Sequence, residues 1–177
     1  MALADDKKIM FRESIIDTDK ENIRAILEPS KFFSKEEKDI ALELLEERLT
    51  KGLQSGYNFL FAEYENKMVG YICFGKITGT DTSFNIYWMA VRDDLRGIGI
   101  GKKILSKAED IIFGMGGIRV YLQTSSREQY LPTQKFYQKS GYRKEAFLKD
   151  YYSDGDGQII YLKILNNKKY ESDRRKK

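Results

Sequence analysis

The sequence predicts a mixed α/β (α+β) fold: a largely antiparallel sheet of six to seven strands flanked by about four helices. Three observations predict it. Apolar residues recur with strand-like or helix-like spacing in the order βααβββαβαββ. Glycine or proline punctuates most of the changes between the two spacings. The chain has 177 residues, 41% of them hydrophobic, which suits one domain with one sizeable core.

The elements follow in order. Residues 8–14 form a first strand. Thr18 and Glu21 have the spacing of a capping box, and Ile23, Ile26 and Leu27 share a helical face that ends before Pro29. Ser34 with Glu37 opens a longer helix, whose apolar stripe is Ile40, Ala41, Leu44, Leu45 and Leu49 and whose stop is Gly52. Residues 57–64 and 68–77 read as two strands joined by a hairpin turn at Glu65-Asn66-Lys67. After a loop at 79–83, residues 84–91 are aromatic and β-branched and read as a central strand. A glycine-rich segment then leads into a helix with Ile104, Leu105, Ala108, Ile111 and Ile112 on one side, ended by Gly114, Gly116 and Gly117. Residues 118–124 make another strand. Pro132 fits the first turn of a short helix that runs to Ser140 and is capped by Gly141. Strands at 143–151 and 158–165 close the chain, with Ser153-Asp-Gly-Asp-Gly157 as the turn between them.

Composition excludes several function classes. The chain has no histidine, which removes Ser-His and Cys-His nucleophilic mechanisms and histidine-containing metal sites. Its one cysteine, Cys73, lies in the apolar run Met68-Val-Gly-Tyr-Ile-Cys-Phe74 and reads as a small buried hydrophobe. No apolar run approaches the roughly 20 residues of a membrane-spanning helix, and the first residues lack a signal peptide's apolar centre, so the expectation is a cytoplasmic protein with no membrane partner. Residues 166–177 form a basic tail that carries the whole formal excess of +4 over a near-neutral domain at 1–165, so no nucleic-acid partner is expected.

The chemistry concentrates in Arg96-Gly-Ile-Gly-Ile-Gly101 and the following Lys102. A strand ends there and a helix begins, so backbone N–H groups lack partners and the helix dipole adds partial positive charge. Glycine admits unusual dihedrals and lets a ligand approach closely. The result is an anion site suited to phosphate. Two familiar phosphate motifs fail. A dinucleotide fingerprint needs glycine where this chain has Lys102 or Ile104, and a P-loop needs glycine and Ser/Thr where it has Arg96 and Lys103.

Arg96-x-x-Gly99-x-Gly101 resembles the signature Arg/Gln-x-x-Gly-x-Gly/Ala of the GNAT superfamily of N-acetyltransferases, and Tyr87-Trp-Met-Ala-Val91 resembles the strand that leads into it. Lys135-Phe-Tyr-Gln-Lys-Ser-Gly-Tyr142 resembles the family's second landmark, a helix ending in tyrosine and then Gly-Phe or Gly-Tyr. The resemblance covers residues 8–165. It implies a GNAT-like sheet and acetyl-CoA as co-substrate, with no metal. It implies that the amides of Arg96, Gly97, Ile98, Gly99, Ile100, Gly101 and Lys102 hold the cofactor's pyrophosphate, and that main-chain groups of Met89 and Val91 meet its pantetheine arm. The acceptor it implies is a primary amine of a small molecule, an amino acid, a peptide or a protein, attacking the thioester directly in a ternary complex. Tyr137 matches the tyrosine that protonates the leaving thiolate. The same tyrosine also reads as a core aromatic. A homodimer is compatible with the resemblance.

Two departures stand out. Relatives carry a glutamate near the start of the strand before the glycine segment, where this chain has Asn85, which is no proton acceptor. Asp81 is close in sequence but on a loop, so a water chain or an amine arriving neutral are the alternatives for base catalysis. The same departure leaves open a non-catalytic acyl-CoA-binding regulatory module. Tyr130 stands where relatives often have asparagine near the cofactor arm. Among other candidates, Phe32 and Phe33 either wall the acceptor site or pack in the core, and Tyr151-Tyr152 either line that site or end a half-buried strand. Asp154-Gly-Asp-Gly157 resembles part of a calcium loop, but the twelfth position is Leu165 rather than glutamate, and a hairpin turn explains it.

Overall fold

The computed structural model describes residues 9–30 and 32–165. Seven strands form one sheet: β1 (Ile9–Arg12), β2 (Asn58–Tyr64), β3 (Lys67–Lys76), β4 (Ser83–Val91), β5 (Arg119–Ser125), β6 (Arg143–Ser153) and β7 (Asp156–Ile164), in the order β1-β2-β3-β4-β5-β7-β6. The helices are α1 (Asp19–Leu27), α2 (Lys35–Lys51), α3 (Ile100–Gly114) and α4 (Leu131–Lys139). The predicted order βααβββαβαββ is therefore observed. The chain divides into two compact units: one takes residues up to Lys76 with Ile86–Ala108, the other takes Ile77–Asn85 with the residues from Glu109 on. Lys8, placed in the first strand by the sequence, and the basic tail lie outside the described residues.

In the first unit, β1, β2 and β3 pair antiparallel, with Arg12 opposite Phe61 and Phe59 opposite Cys73. The β2–β3 hairpin turns on Glu65 and Asn66, both at positive φ (49° and 60°), the two-residue geometry that matches the twist of the strands. Interior residues 68–75 of β3 are all buried, so both of its faces are covered. Gly70 makes that possible: a Cβ there would lie 2.8 Å from the Ala90 carbonyl oxygen and 2.8 Å from Ile104 Cδ1, so only glycine lets α3 approach. The core joins Ile23, Ile26 and Leu27 of α1, Ala41 and Leu45 of α2, and Phe59, Phe61, Tyr71 and Cys73 of the strands. Cys73 is fully buried, as expected, and burial pushes its thiol pKa upward.

Two helix assignments need correction. The capping box at Ser34 and Glu37 forms in both directions, but Thr18 caps nothing with its side chain. Thr18 already has helical dihedrals (φ −82°, ψ −5°) instead of the extended backbone of a capping residue. Asp19 does the anchoring instead. Its fully buried carboxylate takes the Ile16 amide at 2.9 Å and two guanidinium nitrogens of Arg12 at 2.7 and 2.8 Å, while Arg12 Nε reaches Glu63 at 2.8 Å. The stripe of α2 is also narrower than its spacing suggests: Ala41 and Leu45 are buried, while Ile40 and Leu49 are exposed.

In the second unit β7 pairs antiparallel with both β5 and β6. Gly117 follows the end of α3, and a Cβ there would fall 2.4 Å from Ile112 Cγ2 and 2.7 Å from the Phe84 ring. Gly141 ends α4 at φ 90°. The β6–β7 turn is tighter than expected. Only Asp154 and Gly155 lie between the strands, and Asp156 and Gly157 belong to β7, with Ser153 opposite Asp156. The run Asp-Gly-Asp-Gly carries turn chemistry throughout, which hides from sequence reading that its second half pairs in the ladder.

Asp19→Ala leaves the Arg12 guanidinium without its buried partner and the Ile16 amide without its acceptor. The expected cost is about 2–3 kcal/mol, read as a lower urea midpoint at unchanged slope.

Candidate functional site

Strand β4 ends at Val91, and the chain reaches α3 through eight residues. The connection is held at its start. The Arg92 amide donates to the Val69 carbonyl at 2.9 Å, and Asp93–Leu95 form a single 3-10 turn. Asp94 accepts two bonds from Arg92 at 2.7 Å, and Asp93 pairs with Arg96 at 2.7 Å. Arg96 also lies over the Phe32 ring at 5.4 Å. Both acids near the glycine segment thus have arginine partners. Phe33 packs against Trp88 at 5.1 Å and joins the edge of the core.

The glycines divide into two kinds. Gly97 (φ 79°) and Gly99 (φ 93°) occupy the left-handed region, whereas Gly101 lies inside α3 without positive φ. A Cβ on Gly97 or Gly99 would meet nothing within 4 Å. Those two glycines are therefore required by backbone conformation, and their missing side chains leave open space beside the loop. The first intrahelical bond of α3 runs from the Lys103 amide to the Gly99 carbonyl at 3.1 Å, so the amides of Ile100, Gly101 and Lys102 have no acceptor within the helix. No acidic residue sits in the first turn of α3, in contrast with Asp19 and Glu21 of α1 and Glu36 and Glu37 of α2. The helix dipole is left for an external anion. Gly97, Gly99 and Lys102 are exposed, Ile98 is half-buried, and Ile100 is buried and anchors the helix start. Met89 and Val91 are half-buried on β4. The open, unpaired, positively polarised turn fits a diphosphate.

The other candidates lie in the second unit. Tyr137 is 8% exposed and packs against Tyr142 (5.8 Å) and Tyr161 (6.3 Å). Burial raises its phenol pKa to about 12, so the hydroxyl keeps its proton through the neutral range and is available as a donor. Tyr142 is pushed upward as well, by burial and then by the Glu109 charge. Glu109 in turn holds Lys163 at 2.7 Å. Asn85 is buried and accepts from Gln123 Nε2 at 3.0 Å, which is a structural use of its side chain. Asp81 is exposed in the loop before β4. Tyr130, 6% exposed, lies under the Arg127 guanidinium at 5.5 Å. Tyr151 and Tyr152 are exposed on β6 and stack edge to face.

Sequence reading missed a buried polar group at the end of β5. Asp156 accepts from Ser125 Oγ at 2.5 Å and pairs with Arg127 Nε at 3.0 Å. Its signal was masked by the turn-like run in which it stands. Among the described residues no group of His, Cys, Asp and Glu could hold a metal, and no helix is long and apolar enough to cross a membrane.

The tyrosines give an alkaline signature. An exposed phenol titrates near 10.0, and folded Tyr137 titrates near 12. The stability tied to its neutral form is fully present below pH 10 and is lost between pH 10 and 12, by roughly 3 kcal/mol. Denaturant midpoints measured from pH 8 to 11.5 should begin to fall near pH 9, where the unfolded chain's Cys73 ionises and the buried thiol does not, and fall more steeply above pH 10, less so in Tyr137→Phe.

Comparison with known proteins agrees with this geometry. Residues 20–142 match the acetyltransferase (GNAT) family. An uncharacterized N-acetyltransferase of Methanocaldococcus jannaschii is 32% identical over 111 residues, 63% of this chain and 69% of that protein. A crystal structure assigned to the GNAT acetyltransferases, from Desulfovibrio desulfuricans, superposes with TM-score 0.85 and 35% identity over 88% of this chain and 98% of its own. An aminoglycoside 6′-N-acetyltransferase solved with coenzyme A shares the fold, with TM-score 0.69 and 17% identity over 88% of this chain and 96% of its own. The glycine turn that receives β4, the tyrosine helix α4 and these likenesses lead to one assignment: the chain belongs to the GNAT family and is an acetyl-CoA-dependent N-acetyltransferase.

Proposed function

We propose that the chain transfers the acetyl group of acetyl-CoA to a primary amine by direct attack in a ternary complex. The observation that carries the reading is the left-handed pair Gly97 and Gly99 with open space beside it, followed by α3 amides that have no acceptor within the helix. Bound acetyl-CoA supplies an acetyl carbon activated as a thioester. The amides of Gly97 through Lys102 hold its pyrophosphate, whereas the Arg96 amide is given to the Asp93 carbonyl at 3.3 Å and closes the turn before them. Main-chain groups of Met89 and Val91 align the pantetheine arm, and Tyr130 borders it. Holding the amine and the thioester together supplies much of the acceleration.

Tyr137 gives its phenolic proton to the departing sulfur. A phenol with pKa about 12 is protonated at every working pH, so it needs no prior charging step. Asn85 is spent on Gln123 and is not a base. The amine therefore reaches the site neutral or loses its proton to water. This predicts that activity rises with pH along the titration of the acceptor itself. The acceptor is an amine of a small molecule, an amino acid or a peptide end. The aminoglycoside enzyme that shares the fold gives the small-molecule class a precedent.

Turnover of acetyl-CoA with a panel of amines, read as thiol release, tests the reading. Tight coenzyme A binding with no thiol release across the panel favours a non-catalytic acyl-CoA-binding module instead. Tyr137→Phe is expected to lower kcat by about 10²-fold or more while the affinity for acetyl-CoA changes less than about threefold; equal turnover would remove its proton role. Gly99→Ala costs about 1 kcal/mol of backbone strain in the free protein. Its methyl group meets nothing until the cofactor arrives, so coenzyme A affinity measured by calorimetry should fall by at least about tenfold.

A further inference from the structure

We propose that Asp156 is a positioning residue for cofactor binding, acting through Arg127 on Tyr130. The inference rests on the reading that Tyr130 borders the cofactor arm. The connection from β5 to α4 is short, and Arg127, Glu128 and Gln129 are exposed. Tyr130 is the buried residue at its end. A segment with so little apolar anchorage needs polar fixing to hold one geometry.

That fixing comes from the first residues of β7. The Asp156 carboxylate is 4% exposed and takes Ser125 Oγ at 2.5 Å on one oxygen and Arg127 Nε at 3.0 Å on the other. Ser125 Oγ also accepts from the Arg127 amide at 3.1 Å, which fixes the backbone where it leaves β5. One residue on, the exchange is reciprocal. The Ser126 amide donates to the Gly157 carbonyl, and the Gly157 amide donates to Ser126 Oγ, each at 2.8 Å. Gln134 Nε2 of α4 reaches back to the Ser125 carbonyl at 3.0 Å. Arg127, held by Asp156, lies over the Tyr130 ring at 5.5 Å, and the Tyr130 amide donates to the Arg127 carbonyl at 2.9 Å. The path from carboxylate to ring is thus continuous: Asp156 fixes the guanidinium, and the guanidinium fixes the face of Tyr130.

A positioning role predicts a split unlike that of a proton donor. Asp156→Asn should raise the KM for acetyl-CoA about tenfold, with kcat within about threefold. Tyr130→Ala should do the same, and the double variant should be no worse than the more severe single one, because both act on one contact. Amide hydrogen exchange of residues 126–130 in the ligand-free protein should accelerate in Asp156→Asn. Ser125→Ala, which keeps the Arg127 ion pair, should raise KM about threefold and decides the matter if Asp156→Asn does not fold. Unchanged KM in the single variants, additive effects in the double variant, or unchanged exchange at 126–130 would each overturn the proposal. A wild-type chain that releases no thiol with any amine overturns the transferase reading instead, and the exchange comparison still decides whether Asp156 holds the connection.

Discussion

The structure depends on a turn of backbone rather than on any side chain. Gly97 and Gly99 sit at φ 79° and 93°, a region that costs other residues roughly 1–2 kcal/mol each. With glycine the chain leaves β4 and enters α3 without strain and without covering its own amides. Everything near the turn supports that arrangement. Asp93 and Asp94 are paired with Arg96 and Arg92 rather than with the amides of the helix start. Ile100 is buried and pins the helix start from beneath. The amides that an ordinary helix gives to its own capping side chain are reserved for a ligand, and the cost of leaving them open is carried by solvent until that ligand binds.

The second task that we propose, moving a proton to sulfur, has a different physical basis. Burial is what prepares Tyr137. Packed against Tyr142 and Tyr161, its phenol holds its proton far above neutrality. The same aromatic cluster that reads as core is therefore also what makes the hydroxyl a dependable donor, so the two readings of Tyr137 are compatible. Tyr142, which ends the same motif, is drawn toward Glu109 and Lys163 and braces the cluster. The family pattern of tyrosine, glycine and aromatic residue thus has a mechanical reason: Gly141 at φ 90° turns the chain so that Tyr142 returns onto Tyr137.

Much of this was legible in the sequence, for identifiable reasons. Strand and helix order followed from periodicity, because β3, α3 and β5 bury whole faces. The glycine segment and the tyrosine helix were legible because their chemistry is local: amide exposure and positive φ are set within a few residues. What was not legible depends on partners far apart in the chain. Nothing in the local spacing singles out Asp19, yet it is the buried centre of a network with Arg12 and Glu63, the latter 51 residues from Arg12. Asp156 looked like a turn residue, and only the pairing of β7 with β5 brings it to Ser125. Thr18 had the right spacing for a cap and the wrong dihedrals, which spacing alone does not reveal.

The most direct measurement is a crystal structure of the chain with coenzyme A. The account predicts diphosphate oxygens within about 3 Å of the amide nitrogens of residues 97–102, with Gly97 and Gly99 unchanged in φ. A ligand bound elsewhere, with those amides facing only solvent, would contradict it.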